Sequence, residues 1–562
     1  MNFQRHLNDN CVTGMRLNML RNSPRVVQNS RPRAIAHYFF YNNVGIYLNS
    51  ETSMPFSKFL SAASLGLLIN LFPVAHSAQA MDRFDPATGI LSIPLVQVGD
   101  EFYQDVQIRI FEQDVVSVGS AKGLLSYDTF AGESAELTIG SVAVGSSIYR
   151  NVVVKLNASN LIAATLVRQD AALGQRIDDF MRPYLTANGI SAATLTLMKD
   201  DKVLYETAYG YQDVARSIPL RSNALLTTAS IVKPVTAAAA QNLIAQGKLQ
   251  SSDRVFCGPG ISPSAAAHCW IDSNWVTASD ARIQQITISH LLWHSGGWDR
   301  AGTSCVAFQA ADATTRAALV ASGNPCDVLQ HEFIVQAVLG IATPPSQEQL
   351  IRFVMQGNLD FTPGTTPLTG DRYSNFGYVL LGLIVERASG MPYIEFVTQN
   401  VLGPLGVATS DFKGARSLLS QADPREPNYV TSKQYPSVFA PGTMVPARNG
   451  ALNAENFFAA ATVITTSRTM ARFAGHYRID TDSRGIDGPE NGTPLSGIRK
   501  YGSHNGALPG TATVVTQLPS GVSFAVLLNK NDQFEGEGQR KDYATEVAAG
   551  IEAALRASGY QE

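Results

Sequence analysis

An internal repeat in residues 81–160 is the strongest constraint on the fold. One alternating pattern of apolar and polar residues occurs twice in this stretch, and the two copies lie 46 positions apart. The first copy contains Leu91, Ile93, Val96, Val98, Gly99, Tyr103, Val106, Ile108 and Ile110, and the second contains Leu137, Ile139, Val142, Val144, Gly145, Tyr149, Val152, Val154 and Leu156. Alternation places the apolar residues on one face of a strand, and a glycine between two such runs is typical of a hairpin. The pattern therefore predicts a small β-hairpin-repeat module that buries one face.

A second domain is predicted over residues 165–562. Its first segment has helical periodicity from Leu173 to Leu185 and ends at Asn188-Gly189. A β-hairpin follows at 193–211, with its turn at Asp200-Asp201, and the chain closes with strands at 513–516 and 522–528 and a helix at 543–557. Strands at both ends with helices between them predict an α/β (α+β) fold. We expect an antiparallel sheet with helices on both faces and an inserted helical lobe.

The first 80 residues are typical of a leader rather than a folded domain. Residues 54–80 resemble a signal peptide, with Lys58, an apolar run from Phe59 to Val74 and the small residues of Ala78-Gln79-Ala80. A buried core helix is the competing interpretation of the apolar run. Residues 1–53 carry six arginines and no lysine, and are predicted to be an unstructured or non-native leader, with a basic nucleic-acid arm as the alternative. The predicted protein is therefore periplasmic or secreted, with no stable membrane anchor after cleavage.

Charge and cysteine usage agree with export. The whole chain has a formal net charge of −3, and removing the arginine-rich leader makes the remainder more acidic, which argues against a nucleic-acid partner. Beyond Cys11, the chain has four cysteines, at 257, 269, 305 and 326. Four cysteines allow three connectivities, and the neighbouring pairs Cys257–Cys269 and Cys305–Cys326 are favoured. A zinc site is the alternative, but the spacings contain no C-x-x-C unit.

A candidate nucleophile begins a predicted helix at Ser230-Ile231-Val232-Lys233. Residues at i and i+3 lie on one helix face, so the lysine amine can take the proton of the serine hydroxyl if burial or neighbouring charges keep it partly neutral. A second S-x-x-K occurs at Ser410–Lys413, in a turn-rich stretch. We interpret that second copy as a coincidence, because a chain of this length contains one or two such matches by chance.

Several further segments accompany Ser230 in a fixed order. They are residues 227–249, ITISHLLWHSGG at 286–297, FTPG at 361–364, YSN at 373–375 followed by FGYVLLGLIVERASG, and HNG at 504–506 followed by ALPG. This series resembles the serine β-lactamase and penicillin-binding-protein-like superfamily, in its class C-like branch. That branch includes D,D-carboxypeptidases, D-aminopeptidases and β-lactamase-like esterases. The resemblance covers about residues 172–557.

The resemblance implies a role for each of these residues. Ser230 is expected to be the nucleophile, and Lys233 and Tyr373 to share the work of general base, with the first proton acceptor left open. Asn375 is expected to hydrogen-bond Lys233 and the substrate amide. The backbone N–H groups of Ser230 and Ala507 are expected to form the oxyanion hole.

The third motif departs from the pattern of the β-lactamases. Where those enzymes usually have Lys-Thr-Gly, with the cation holding a substrate carboxylate, this chain has His504-Asn505-Gly506. An imidazole is mostly neutral at neutral pH, so acyl transfer is expected and efficient β-lactam hydrolysis is not. The alternative for His504 is a surface histidine before a glycine turn.

Two other signals carry no catalytic prediction. His290 and His294 are spaced at i and i+4, but the glutamate of an H-E-x-x-H zinc motif is absent, so we predict no metal and no cofactor. A G-x-S-x-G elbow is also absent from the sequence. The sequence therefore predicts an exported serine hydrolase that cleaves an amide or ester bond in a small-molecule or peptide substrate, with cell-wall fragments among the candidates. The alternative is a non-catalytic penicillin-binding or cell-wall-binding protein that uses the same cleft.

Overall fold

The fold is described from a computed structural model. It describes residues 82–98, 101–111, 114–120, 128–131, 134–145, 147–157, 160–167, 170–366, 372–481, 486–497, 499–531 and 541–560. The predicted leader at 1–53, the predicted signal peptide at 54–80 and its cleavage site lie outside the described residues. The chain divides into two compact units, one containing Asp82–Leu166 and the other Val167–Glu562.

Eight strands make up the described part of the first unit. They are β1 (Asp82–Asp85), β2 (Ile90–Val98), β3 (Glu101–Arg109), β4 (Val115–Ser120), β5 (Asp128–Ala131), β6 (Glu136–Val144), β7 (Ser147–Leu156) and β8 (Asn160–Val167). Strands β2 and β3 form one hairpin and β6 and β7 form the other, as the repeat predicts. Equivalent residues pair in the two hairpins: Leu91–Ile108 with Leu137–Val154, Ile93–Val106 with Ile139–Val152, and Val96–Tyr103 with Val142–Tyr149. The apolar repeat positions form a single core, as expected for strands that bury one face.

The two repeats also exchange strands, which the sequence analysis did not predict. Strand β1 pairs antiparallel with β2 of its own repeat and parallel with β6 of the other. Strand β5, 46 residues later, pairs antiparallel with β6 and parallel with β2. Strand β4 of the first repeat lies beside β7 of the second, and β8 of the second lies beside β3 of the first. Neither repeat therefore completes its sheet alone.

The second unit contains twelve strands and eleven α-helices within the described residues. The strands are β9 (Ala192–Lys199), β10 (Lys202–Gly210), β11 (Leu226–Thr227), β12 (Arg254–Phe256), β13 (Cys269–Ile271), β14 (Phe412–Gly414), β15 (Gln434–Pro436), β16 (Met444–Pro446), β17 (Val463–Thr465), β18 (Gly502–Leu508), β19 (Thr511–Gln517) and β20 (Val522–Leu528). The helices are α1 (Ala171–Ala187), α2 (Lys233–Ala245), α3 (Ile288–Leu292), α4 (Val306–Ala310), α5 (Ala313–Ala321), α6 (Glu332–Leu339), α7 (Gln347–Val354), α8 (Asn375–Ser389), α9 (Tyr393–Val397), α10 (Ser467–His476) and α11 (Tyr543–Ala557).

The main sheet is antiparallel and is built from both ends of this unit, as predicted. Its strand order is β10-β9-β20-β19-β18. Apolar side chains of β9, β19 and β20 form one core with α1 and α11 on one face of the sheet. Helix α10 covers the other face, where Ser467 Oγ lies 2.8 Å from Thr196 Oγ1 and Ser523 Oγ donates to Ala471 O at 2.8 Å. The α/β (α+β) prediction, with helices on both faces, is confirmed.

The local predictions around this sheet also hold. Helix α1 ends at Ala187, and Asn188 caps it. Asp200 and Asp201 form the hairpin turn with φ of 50° and 62°, a left-handed conformation that suits a two-residue hairpin turn. The closing strands and final helix lie at the predicted positions.

Helices α2 to α9 form the predicted lobe, inserted between β10 and β17. Both predicted disulfides are present in it, Cys257–Cys269 and Cys305–Cys326, which is typical of proteins from oxidising compartments. Within the part of the chain that the structure describes, no helix is long and apolar enough to cross a membrane.

Candidate active site

Ser230 lies in an irregular helical turn at the start of α2. Residues Ala229–Val232 form a 3-10 helix, and the N–H of Lys233 donates to the Ser230 carbonyl. Pro234 explains this, because it lacks the N–H that a regular α-helix needs at that carbonyl. Ala229, immediately before the serine, has φ of +47° and is fully buried. Such a conformation costs energy for a residue with a Cβ and is common at functional sites.

The main sheet and the small sheet of β11, β14 and β17 hold this turn in place. The hydroxyl of Thr513 on β19 donates to Thr228 O at 2.6 Å, and Thr228 N donates to Val463 O at 2.8 Å. Gly506 on β18 packs directly against the turn, since a Cβ atom there would lie 2.6 Å from Thr228 O. Only glycine therefore lets the third motif approach the serine this closely.

Lys233 is completely buried beneath the serine. Its Nζ donates to Ser230 Oγ at 3.0 Å and to Ala460 O at 2.7 Å. Burial lowers the pKa of Lys233 to about 7, an effect that the carboxylates of Asp487 and Asp327 only partly oppose. A large fraction of this amine is therefore neutral at neutral pH and can accept a proton.

The side chains of Tyr373 and Ser230 share a hydrogen bond. The Lys233 Nζ is 4.9 Å from the centre of the Tyr373 ring. Burial raises the pKa of Tyr373 far above its usual value, so its hydroxyl stays protonated at neutral pH. Of the two candidate bases, the lysine has the pKa suited to accepting the first proton.

Asn375 begins helix α8 and lines the same cleft. Its amide donates to both carboxylate oxygens of Asp327, at 3.0 and 2.8 Å, whereas the resemblance implied a hydrogen bond between Asn375 and Lys233, whose Nζ instead bonds Ser230 and Ala460. Its Oδ1 is buried and has no hydrogen-bond partner among the described residues. The asparagine thus keeps one acceptor for a substrate N–H while Asp327 fixes its orientation.

His504 is buried in strand β18, contrary to the alternative of a surface histidine. Its ring faces inward, with Nε2 3.4 Å from Asp487 Oδ1 and Nδ1 2.8 Å from Asn505 O. Asp487 also accepts hydrogen bonds from His294 Nε2 at 2.8 Å and from the Asn491 amide at 2.7 Å. Burial alone would raise the pKa of the Asp487 carboxyl. The neighbouring His504 and His294 outweigh that effect and hold its pKa well below the usual range.

The buried Asp487 carboxylate is linked to Tyr373 through His294. The His294 ring stacks on Tyr373 with centres 4.3 Å apart, and its Nδ1 accepts from Ser374 N at 3.0 Å. Asp487 thereby orients a histidine that packs directly against the candidate tyrosine. The environment of His294 is that of a positioning residue.

The candidate residues converge on one large cleft. The cleft has a volume of about 1750 Å³, and Ser230, Tyr373 and Asn375 contribute to its wall together with residues 502–509 of the third motif. Ala507 and Gly506 lie on the wall formed by β18, and Lys233 lies buried behind Ser230. The structure thus brings all seven predicted site residues together.

The rejected signals lie apart from this arrangement. Lys413 of the second S-x-x-K forms an ion pair with Asp423 at 2.8 Å, while Ser410 Oγ contacts Asp411 at 3.4 Å. His290 caps its own helix, accepting from Thr287 N at 3.3 Å. Within the described part of the chain, no group of three or more His, Cys, Asp or Glu residues could hold a metal ion.

Three residues at the site were not predicted from the sequence: Arg300, Asp327 and Asp487. Arg300 and Asp327 line the cleft, and Asp487 lies behind it. Arg300 follows a recognised segment by only three positions, which could have drawn attention to it. Asp487 is 193 residues from its partner His294, and no local pattern marks it.

The lysine pKa predicts how the rate of acylation depends on pH. Below pH 7 the Lys233 amine is protonated and cannot take the serine proton, so the rate should rise about tenfold per pH unit and level off above about 7. Measuring kcat/KM for a neutral ester between pH 5 and 9 checks this. Lys233→Met is the control, because it should lower the rate and remove this inflection. A wild-type profile that is flat from pH 5 to 9 contradicts the assignment.

Known proteins are similar to this chain in sequence. A sequence profile of the Beta-lactamase family matches residues 177–549. Esterase EstB from Burkholderia gladioli is 24% identical over 263 residues, which cover 46% of this chain and 57% of EstB. Protein flp from Staphylococcus aureus (strain COL) is 24% identical over 239 residues, covering 42% of this chain and 38% of flp. The chain thus spans about half or less of the length of these curated relatives.

Solved structures are similar as well. D-amino acid amidase from Ochrobactrum anthropi SV3, in complex with D-phenylalanine, matches with a TM-score of 0.45 and 17% identity, covering 69% of this chain and 99% of the amidase. The family profile alone covers about two thirds of the chain, from helix α1 into helix α11. The chain therefore belongs to the Beta-lactamase family of serine hydrolases.

Proposed function

We propose that this protein is an exported serine hydrolase that cleaves an amide or ester bond through an acyl-enzyme on Ser230. One observation carries the proposal: the amine of the fully buried Lys233 lies 3.0 Å from the Ser230 hydroxyl and has a pKa lowered to about 7. A neutral amine within hydrogen-bond distance of a serine is the arrangement that activates a nucleophile. A lysine that served only the fold would be expected to reach solvent or a carboxylate.

In the proposed acylation, Lys233 Nζ takes the proton of Ser230 Oγ while the oxygen attacks the substrate carbonyl. The N–H groups of Ser230 and Ala507 stabilise the oxyanion of the tetrahedral intermediate. The bond to the leaving group then breaks, and the leaving group takes up the proton, passed on through the Tyr373 hydroxyl. The products of this step are the free leaving group and an ester on Ser230.

Deacylation repeats the sequence with water. The neutral Lys233 amine accepts the proton of the incoming water, passed on through the Tyr373 hydroxyl, while the water oxygen attacks the ester carbonyl. Collapse of the second tetrahedral intermediate releases the acid and returns the proton to Ser230. Asn375 is proposed to hold the acyl portion, since its Oδ1 is unpartnered among the described residues and can accept a substrate N–H.

The size of the cleft supports a substrate larger than a simple acetate ester. Its volume of about 1750 Å³ exceeds the range of about 300–1,000 Å³ that is usual for small-ligand pockets. A peptide or a bulky acyl compound, such as a fragment of the cell wall, fits that volume. EstB is an esterase and the Ochrobactrum protein an amidase by name, and both reactions follow from one acyl-enzyme.

Turnover of a neutral ester tests this proposal against a binding-only role. The purified protein should hydrolyse 4-nitrophenyl acetate repeatedly, and prior treatment with a fluorophosphonate should block it. A single stoichiometric burst of nitrophenol without turnover would instead support the non-catalytic penicillin-binding alternative.

Export is a separate prediction. Since Ala78-Gln79-Ala80 is followed by Met81, the mature protein should begin at Met81 and carry the disulfides Cys257–Cys269 and Cys305–Cys326. Amino-terminal sequencing of the protein recovered from the periplasm or medium checks this. Finding residues 1–53 on the mature protein would contradict it.

A further inference from the structure

One polar atom in the wall of the cleft lacks a hydrogen-bond partner. Asn375 lines the cleft and is only 5% exposed, and its Oδ1 is buried with no partner among the described residues. The amine of Lys233 donates to Ser230 Oγ and Ala460 O rather than to this oxygen. A buried acceptor without a donor destabilises the protein unless a ligand supplies one. The unmet acceptor therefore points to a donor group on the substrate.

Asp327 determines which end of the Asn375 amide is left without a partner. Its two carboxylate oxygens lie 3.0 and 2.8 Å from Asn375 Nδ2. A carboxylate accepts hydrogen bonds and has none to donate. Turning the amide over would place Oδ1 against two further acceptors and lose the hydrogen bond. Asp327 thus holds the amide with its nitrogen inward and its oxygen directed elsewhere.

Asp327 is itself fixed by its local structure. It is 7% exposed, and its Oδ1 also accepts from Leu329 N at 3.1 Å, which caps the short 3-10 turn that follows. The preceding residue, Cys326, forms the disulfide with Cys305. The carboxylate is therefore tied on both sides of the chain, as a group that positions another side chain requires.

We propose that Asp327 is a positioning residue that sets specificity by holding Asn375 as a hydrogen-bond acceptor toward the substrate. This inference rests on the proposed hydrolase function. A site built to receive a donor rejects an analogue that lacks it, because the acceptor is then left unpaired in the complex. The favoured substrates are acyl compounds with an N–H group near the cleaved carbonyl, and the preference for that N–H depends on Asp327, a residue outside the recognised motifs.

Two esters that differ in a single N–H group test the proposal. Phenyl N-acetylglycinate has an N–H where phenyl 4-oxopentanoate has a methylene, at the same chain length. Each kcat/KM is divided by the rate constant of hydrolysis by hydroxide, which removes the difference in intrinsic reactivity. We expect the wild type to prefer the N–H ester by about 10–100-fold.

Asp327→Asn should reduce this preference to less than about threefold, mainly by slowing hydrolysis of the N–H ester. The new side chain keeps the shape and the capping ability of the aspartate. It can also donate a hydrogen bond, so it no longer prevents the Asn375 amide from turning over. Asp327→Ser keeps the cap with a shorter side chain and serves the same purpose if Asp327→Asn does not fold.

Measurement at pH 8.5 separates this effect from a change in the general base. The charge of Asp327 also raises the pKa of Lys233, so Asp327→Asn should move the inflection of the rate profile to lower pH. In the wild type that pKa is about 7. At pH 8.5 the amine is therefore mostly neutral in both proteins, and its titration does not alter the preference between the two esters.

Asp542→Asn is the matched control. Asp542 lines the same cleft and caps helix α11, accepting from Thr545 N at 3.2 Å. The substitution removes an equal charge from the cleft wall and keeps the cap, so the preference should equal that of the wild type. Asn375→Ala removes the acceptor itself and should lower the rate for the N–H ester to that of its analogue.

The failures of the inference and of the proposed function are distinguishable. The inference is wrong if the wild type shows no preference for the N–H ester, or if Asn375→Ala retains that preference. It is also wrong if Asp327→Asn slows both esters equally, since an equal loss marks a purely structural role. If the wild type hydrolyses neither ester, or if Ser230→Ala hydrolyses them as fast, the proposed function itself fails.

Discussion

Replacing Ser230 by alanine should abolish turnover of 4-nitrophenyl acetate, because Ser230 Oγ is the atom that forms the acyl-enzyme. This oxygen is hydrogen-bonded to the buried Lys233 amine at 3.0 Å, and Ser230 lines the cleft. Any residual rate should be close to that of the solution reaction, apart from what binding and the oxyanion hole still supply. The measurement is kcat/KM for wild type and variant, with circular dichroism to show that the fold is kept.

Ser410→Ala is the matched control for this prediction. Ser410 begins the second S-x-x-K of the chain, but its lysine, Lys413, is paired with Asp423 at 2.8 Å. The variant should therefore retain wild-type activity. An inactive Ser410→Ala together with an active Ser230→Ala would mean that the second motif is the true site.

Removing either proton-transfer group should have the next largest effect. Lys233→Met and Tyr373→Phe are each expected to lower kcat/KM by about 10²–10⁴-fold, as is usual for loss of a general acid or base. The lysine variant also removes a buried amine whose charge burial disfavours, so its stability should not fall. Thermal unfolding of both variants checks that the loss of rate does not reflect unfolding.

The losses of kcat/KM caused by the two substitutions should not multiply in the double variant. Both groups contact Ser230 and lie 4.9 Å from each other, measured from Nζ to the ring centre, so they serve one proton path. The double variant Lys233→Met/Tyr373→Phe should be little slower than the slower single variant. A fully multiplicative effect would show that the two residues act in independent steps.

Local sequence patterns predicted a large part of this structure. The 46-residue repeat, the hairpin with Asp200-Asp201 at its turn and the helix from Ala171 to Ala187 each depend on neighbours in the sequence. The irregular start of helix α2 likewise has a local cause, because Pro234 removes a single backbone hydrogen bond. These features require no knowledge of how distant segments pack.

Features that depend on long-range packing were not predictable in the same way. The strand exchange between the two repeats joins segments that no local pattern pairs, such as β1 with β6. Asp487 contacts both His294 and His504, which belong to separate elements. The contact with Asp487 turns the His504 ring inward. The lowered pKa of Lys233 follows from burial by residues throughout the unit, whereas the S-x-x-K motif shows only that the amine can reach the serine.

The most direct test of the central claim is the intact mass of the protein after exposure to a fluorophosphonate. We expect one covalent adduct per chain on the wild type, located by peptide mapping on Ser230, and none on Ser230→Ala. Labelling should slow below pH 7 as Lys233 becomes protonated. An unmodified wild-type protein, or an adduct on any residue other than Ser230, would contradict the claim.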